Sequence, residues 1–78
     1  MTTEEKIIRI VADHFGADEK RLNTGTHLHK DLRGDSLDSI EIVMAVEKEF
    51  GKFVKDEDLR AFNGTIGDIV DYIEKKVQ

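Results

Sequence analysis

The sequence predicts an all-α fold: a four-helix bundle with a long first loop and a short third helix, over a single domain spanning residues 1–78. Three observations carry this expectation. Apolar residues recur at intervals of three and four in three separate stretches. Each of those stretches opens on a capping signal, and the first two close on glycine. Alternation of apolar and polar residues, the mark of a half-buried strand, is confined to the brief Phe53-Val54.

The first helix is expected over about residues 3–15. Thr2 and Glu5 have the spacing of a capping box, Ile7, Ile8, Val11 and Phe15 follow at helical intervals, and Gly16 is a natural stop. From Gly16 to Gly34 runs a polar connection containing Asn23-Thr24-Gly25-Thr26, with Leu22, Leu28 and Leu32 as apolar anchors onto the core. Loops this long are functional or have a specific internal packing. The simplest expectation is geometric, that the connection carries the chain back along helix one so that helix two starts where helix one did. The second helix spans about Leu37–Phe50, capped by Asp35 or Ser36, with Asp38 favourably placed in its first turn and Gly51 at its end. Asp56-Glu57-Asp58 open a short third helix through Phe62, closed by Asn63-Gly64. Thr65 with Asp68 is a weaker capping box for a fourth helix, whose apolar face of Ile66, Ile69, Val70, Tyr72 and Ile73 extends to about Lys76.

Length and charge exclude several function classes. A 78-residue chain buries only about 60% of its unfolded surface, which leaves no room for both a buried catalytic apparatus and a separate substrate pocket. The absence of cysteine removes disulfides and thiolate metal sites and suits a reducing compartment. The start, Met1-Thr2-Thr3-Glu4-Glu5-Lys6, lacks the basic and apolar regions of a signal peptide, and nothing approaches the ~20 apolar residues of a membrane span. A cytoplasmic location and a monomer are expected. The net charge of −5 is uneven: residues 1–34 hold six acids and six bases, and residues 35–78 hold eleven acids and six bases. That sign disfavours nucleic acid and favours a protein partner with a basic face.

The second helix carries two apolar lines. At ~100° per residue, Ile42, Val43, Val46 and Phe50 form one core stripe. Leu37, Ile40 and Met44 form another on the far side, edged by Glu41, Glu47 and Lys48. An apolar strip facing away from the core of so small a domain is expected to meet a partner. Ser36 lies at the mouth of this helix. Serine at a helix start is commonly a cap, but Asp35 can supply that cap and leave the hydroxyl pointing outward. Free N–H groups and the helix dipole would favour an anion attached there. A nucleophilic role would need a nearby base, and the candidates His14, His27 and His29 belong to helix one or the loop, where ordinary surface histidines are expected. The His27–His29 pair lacks further metal ligands, and Asp56-Glu57-Asp58 lacks the spacing of a calcium loop. The hydroxyl thus reads as a substrate for another enzyme.

The run Asp35-Ser36-Leu37-Asp38-Ser39-Ile40-Glu41-Ile42-Val43-Met44-Ala45-Val46-Glu47 resembles the modification site and recognition helix of the acyl carrier proteins. The likeness extends from Asp31-Leu32 to Thr65-Ile66-Gly67-Asp68 and Val70-Asp71-Tyr72-Ile73. The resemblance implies a carrier without activity of its own. A phosphopantetheinyl transferase would use coenzyme A and a divalent metal to place 4′-phosphopantetheine on Ser36. Acyl thioesters would ride on that arm to enzymes of fatty-acid, polyketide or specialised lipid synthesis. It further implies that Leu37, Ile40 and Met44 are the apolar docking line. Asp35, Asp38, Glu41 and Glu47 would meet basic docking patches, Asp35 would lie near the transferase's metal, and helices two to four would part to shelter the acyl chain. Arg33, Lys48 and Lys55 depart from the family pattern and weaken the negative field near Ser36, which points to partners other than those of the housekeeping pathway. An aminoacyl (D-alanyl-type) carrier and an unmodified structural interaction module of the same fold are the alternatives.

Overall fold

The computed structural model describes residues 1–77. Three α-helices, α1 (Thr3–Phe15), α2 (Ser36–Phe50) and α3 (Ile66–Val77), are joined by 3₁₀ segments at Glu19–Arg21 and Asp56–Phe62. Among the described residues there is no strand, only an isolated antiparallel bridge between His27 and Thr65. The all-α, four-helix reading therefore holds, with α3 as the fourth helix. The short third helix is a 3₁₀ helix, its bonds closing three residues apart, as in Asp58 N–H to Lys55 O (2.9 Å) and Asn63 N–H to Arg60 O (3.2 Å). At seven residues, with no side-chain bond capping its start, it is longer than the runs of about 3–4 residues in which this tighter winding is usually found.

Each α-helix begins as its sequence dictates. Thr2 Oγ1 accepts from the Glu5 N–H (3.1 Å) while Glu5 Oε1 accepts from the Thr2 N–H (2.9 Å). The same reciprocal box joins Thr65 and Asp68 ahead of α3. At the other end, α1 and α2 stop on Gly16 and Gly51, both left-handed at φ +65°, each donating its N–H back into the last turn. The core gathers Ile7 and Val11 of α1, Ile42 and Val46 of α2, Phe62, and Ile66, Ile69 and Ile73 of α3, all essentially buried. Phe50 sits half-buried at the edge of this cluster, so the core stripe of α2 ends at Val46.

The first loop does not do what its length suggests. His14, in the last turn of α1, bonds to Asp38 in the first turn of α2, and Lys6 near the start of α1 lies 5.7 Å from the Phe50 ring centroid at the far end of α2. The two helices are therefore antiparallel, and α2 starts beside the end of α1, not at its beginning. The loop's length goes instead into contacts with the start of α3. Thr24 O accepts from the Gly67 N–H (2.9 Å), Thr26 O from the Ile66 N–H (2.9 Å), and Gly64 O from the Leu28 N–H (3.0 Å). The first two of these satisfy N–H groups that a helix start leaves without partners. Leu22 and Leu28 anchor the loop as expected, with Leu32 only half-buried. The loop then returns to α1 so closely that a Cβ on Gly34 would fall 2.8 Å from Phe15 Cζ. Phe53 and Val54 form no strand: Val54 is buried and Phe53 exposed. No helix among the described residues is long and apolar enough to cross a membrane.

Candidate functional site

The start of α2 settles which residue caps it. Asp35 is extended (φ −121°, ψ −172°), and its Oδ1 accepts from the N–H groups of Leu37 (3.0 Å) and Asp38 (3.1 Å). Asp38 Oδ2 reaches back to the Asp35 N–H at 2.9 Å and completes a capping box. Ser36 is thus the first helical residue, exposed and outside the capping bonds. Two of the donors that sequence reasoning reserved for an attached anion, the Leu37 and Asp38 N–H groups, are taken up by Asp35 itself. Ser39, three residues on and so on the same side of the helix, lies deeper. It is buried and donates its hydroxyl to the Phe62 carbonyl at 3.0 Å, which ties α2 to the 3₁₀ helix. Between the two serines lies a cavity of about 130 Å³, lined by Ser36, Ser39, Ile40, Val43, Leu59 and Asn63.

Leu37, Ile40 and Met44 are all exposed on α2, and Phe53, 74% exposed just past its end, adds a fourth large apolar group that sequence reasoning did not include in the strip. The four acids expected at the rim differ in their commitments. Glu41 is exposed, whereas Glu47 is half-buried and accepts the Val54 N–H at 2.8 Å, pinning the segment after α2. Asp35 is the cap and Asp38 its partner. Arg33, three residues before Ser36, is exposed with φ +59°, a left-handed conformation that side chains other than glycine rarely adopt.

His14 is the residue that sequence reasoning undervalued. Its half-buried ring contacts Asp38 Oδ1 through Nε2 at 2.8 Å and lies 3.6 Å from Glu41 Oε2 through Nδ1. A carboxylate can only accept, so Nε2 carries the hydrogen of the shorter contact. That bond, seconded by the Asp35 N–H, holds the Asp38 carboxyl below the ordinary carboxylate range. The other two histidines organise the loop. His27 Nδ1 accepts from the His29 and Lys30 N–H groups (3.1 Å each), and His29 Nδ1 donates to the Gly34 carbonyl at 2.6 Å. Among the described residues no histidine nitrogen is bonded to the Ser36 hydroxyl, so the base–nucleophile pair of a hydrolase is not assembled.

The sequence matches the profile of the family described as "Phosphopantetheine attachment site" over residues 5–73. It is 42% identical over 71 residues to an acyl carrier protein of Sinorhizobium fredii (strain NBRC 101917 / NGR234), covering 91% of this chain and 90% of that one. The same identity and coverage relate it to the acyl carrier protein AcpP of Rhizobium meliloti (strain 1021). An exposed, uncommitted serine at the head of an apolar, acid-rimmed helix agrees with these likenesses, and the chain belongs to the phosphopantetheine-attachment family, that of the acyl carrier proteins.

Proposed function

We propose that the chain is an acyl carrier protein bearing 4′-phosphopantetheine on the Ser36 hydroxyl, and that it presents acyl groups to biosynthetic enzymes through α2. The observation that carries this reading is the division of labour at the helix start: Asp35 caps, so Ser36 is left outward and free of structural duty. When attached, the group supplies the terminal thiol on which acyl chains are held as thioesters. Because Asp35 already accepts from the Leu37 and Asp38 N–H groups, those donors are not free to hold an attached phosphodiester, which suits an arm that must swing between enzymes.

The chain's own residues would then work as follows. Leu37, Ile40 and Met44 give partners an apolar line, and exposed Glu41 gives basic patches an acid that is screened by salt. Asp35 is held beside Ser36, where it can approach the transferase's metal without losing its capping role. At about 130 Å³ the cavity beside Ser36 is well below the ~300 Å³ at which ligand pockets begin, so sheltering an acyl chain requires the 3₁₀ helix to move away from α2. Few bonds hold that helix, the Ser39 hydroxyl among them, and local openings of this kind cost little in a small domain.

Arg33, Lys48 and Lys55 are all exposed and dilute the negative field around Ser36, which supports partners distinct from those of a housekeeping fatty-acid carrier. Equal efficiency in reconstituted full-length fatty acid synthesis would remove that part of the reading. The carrier role itself is tested by intact mass after incubation with coenzyme A, Mg²⁺ and a broad-specificity phosphopantetheinyl transferase. One phosphopantetheinyl group should be gained by the wild type and none by Ser36→Ala. No gain on the wild type would instead favour an unmodified interaction module.

A further inference from the structure

We propose that His14 and Glu41, with Asp38 behind the imidazole, form a binding site for a borderline divalent metal such as Zn²⁺ or Ni²⁺ at the junction of α1 and α2. One ligand atom from each of the three side chains lies within 4.8 Å of the others, and their arrangement has a direction. Two ligand atoms about 2.0–2.2 Å from a tetrahedral ion lie roughly 3.4 Å apart. His14 Nδ1 and Glu41 Oε2 stand 3.6 Å apart, so an ion fits between them with almost no movement. The opposite nitrogen, Nε2, already donates to Asp38 Oδ1 at 2.8 Å. In the neutral ring this puts the free lone pair on Nδ1, facing Glu41. A carboxylate holding the far side of an imidazole is the usual way a metal-binding histidine is fixed in tautomer and orientation.

The support continues outward. Asp38 is held by the Asp35 N–H through its other oxygen (2.9 Å), and the ring of Phe15 meets the His14 ring edge-on, centroids 4.9 Å apart. His14 is half-buried while Glu41 is exposed, so a hydrated ion can enter from the Glu41 side and keep water on its remaining positions. One imidazole with one carboxylate and no thiolate suits Zn²⁺, Ni²⁺ or Co²⁺, whereas Mg²⁺ and Ca²⁺ prefer oxygen alone. The site stands on these side chains and not on the carrier reading, although an ion there would cover Glu41 and join the end of α1 to the helix that begins at Ser36.

The test uses the unmodified full chain. Calorimetric titration with ZnCl₂ and with NiCl₂ should show one site, and nitrogen-edited NMR should show the largest change at His14 Nδ1. Affinity should fall at least tenfold in His14→Gln and in Glu41→Gln, the latter an exposed position where folding is not in question, and should be unchanged in the double variant His27→Gln/His29→Gln. Undiminished binding in either of the first two variants, loss in the double variant, equal binding of Mg²⁺, or no binding at all would overturn the proposal. None of these outcomes depends on whether Ser36 is modified.

Discussion

Ser36 and Ser39 stand three residues apart on α2 and should respond in opposite ways to the same substitution. The Ser39→Ala change removes the donor to the Phe62 carbonyl inside a buried environment. Leaving a buried acceptor unsatisfied costs ~1–3 kcal/mol, and the better helix propensity of alanine returns roughly 0.5 kcal/mol. The net loss is about 0.5–2.5 kcal/mol, and at ~4–8 °C per kcal/mol for a domain of this size the melting temperature should drop by roughly 2–20 °C. Ser36→Ala, at an exposed position outside the capping bonds, should stay within ~0.5 kcal/mol of wild type. Circular dichroism melts of the two variants at matched concentration give the comparison, and transferase modification should be retained by Ser39→Ala and lost by Ser36→Ala. A stable Ser39→Ala, or a Ser36→Ala that melts as early, would show that the roles of the two serines have been exchanged.

Three further outcomes follow from the geometry. Met44→Glu places a charge on an exposed position, so the melting temperature should move by no more than a few degrees while transfer of an acyl group to a partner synthase slows; a large thermal loss would mean that the residue faces the core. Arg33→Gly relieves a left-handed conformation worth ~1–2 kcal/mol in a non-glycine residue, partly offset by the ~0.5–1 kcal/mol of extra chain entropy glycine brings to the unfolded state. The variant should melt a few degrees higher, and a lower melting point would contradict the strain. Tyr72 donates to Asp58 Oδ2 at 2.8 Å, and its phenol is pushed up to about 12, first by burial and then by that bond. Ultraviolet titration should therefore find no tyrosinate near pH 10. Because the folded value is raised, this contribution to stability is complete below pH ~10 and fades as pH rises toward 12. In Asp58→Asn the midpoint should fall but stay above 10, since burial remains; a wild-type midpoint near 10 would refute the contact.

The helices were legible because their signals are local. Thr2 with Glu5, Asp35 ahead of Ser36, Gly16 and Gly51 act within a turn of themselves, so a linear reading reaches them. The outward strip of Leu37, Ile40 and Met44 was legible for the same reason, since helical periodicity alone separates it from Ile42, Val43 and Val46. What escaped depends on partners far along the chain. His14 meets Asp38 across 24 positions and Ser39 meets Phe62 across 23, and neither has any mark in the neighbouring sequence. The direction of the first loop was misjudged on the same ground, because its backbone bonds to residues 64–67 replace the run along α1 that its length alone suggested. The exposure of Phe53 also escaped, because two adjacent apolar residues outside a helix carry no period to separate a buried side chain from an exposed one.

Whether Ser36 carries the arm in life is tested most directly by tandem mass spectrometry of the chain purified from its native cells. A peptide containing Ser36 should carry phosphopantetheine, release it on fragmentation with an acyl group still joined through the thioester, and leave Ser39 unmodified. A chain fully expressed yet bare at Ser36, or an arm located on any other residue, would contradict the assignment.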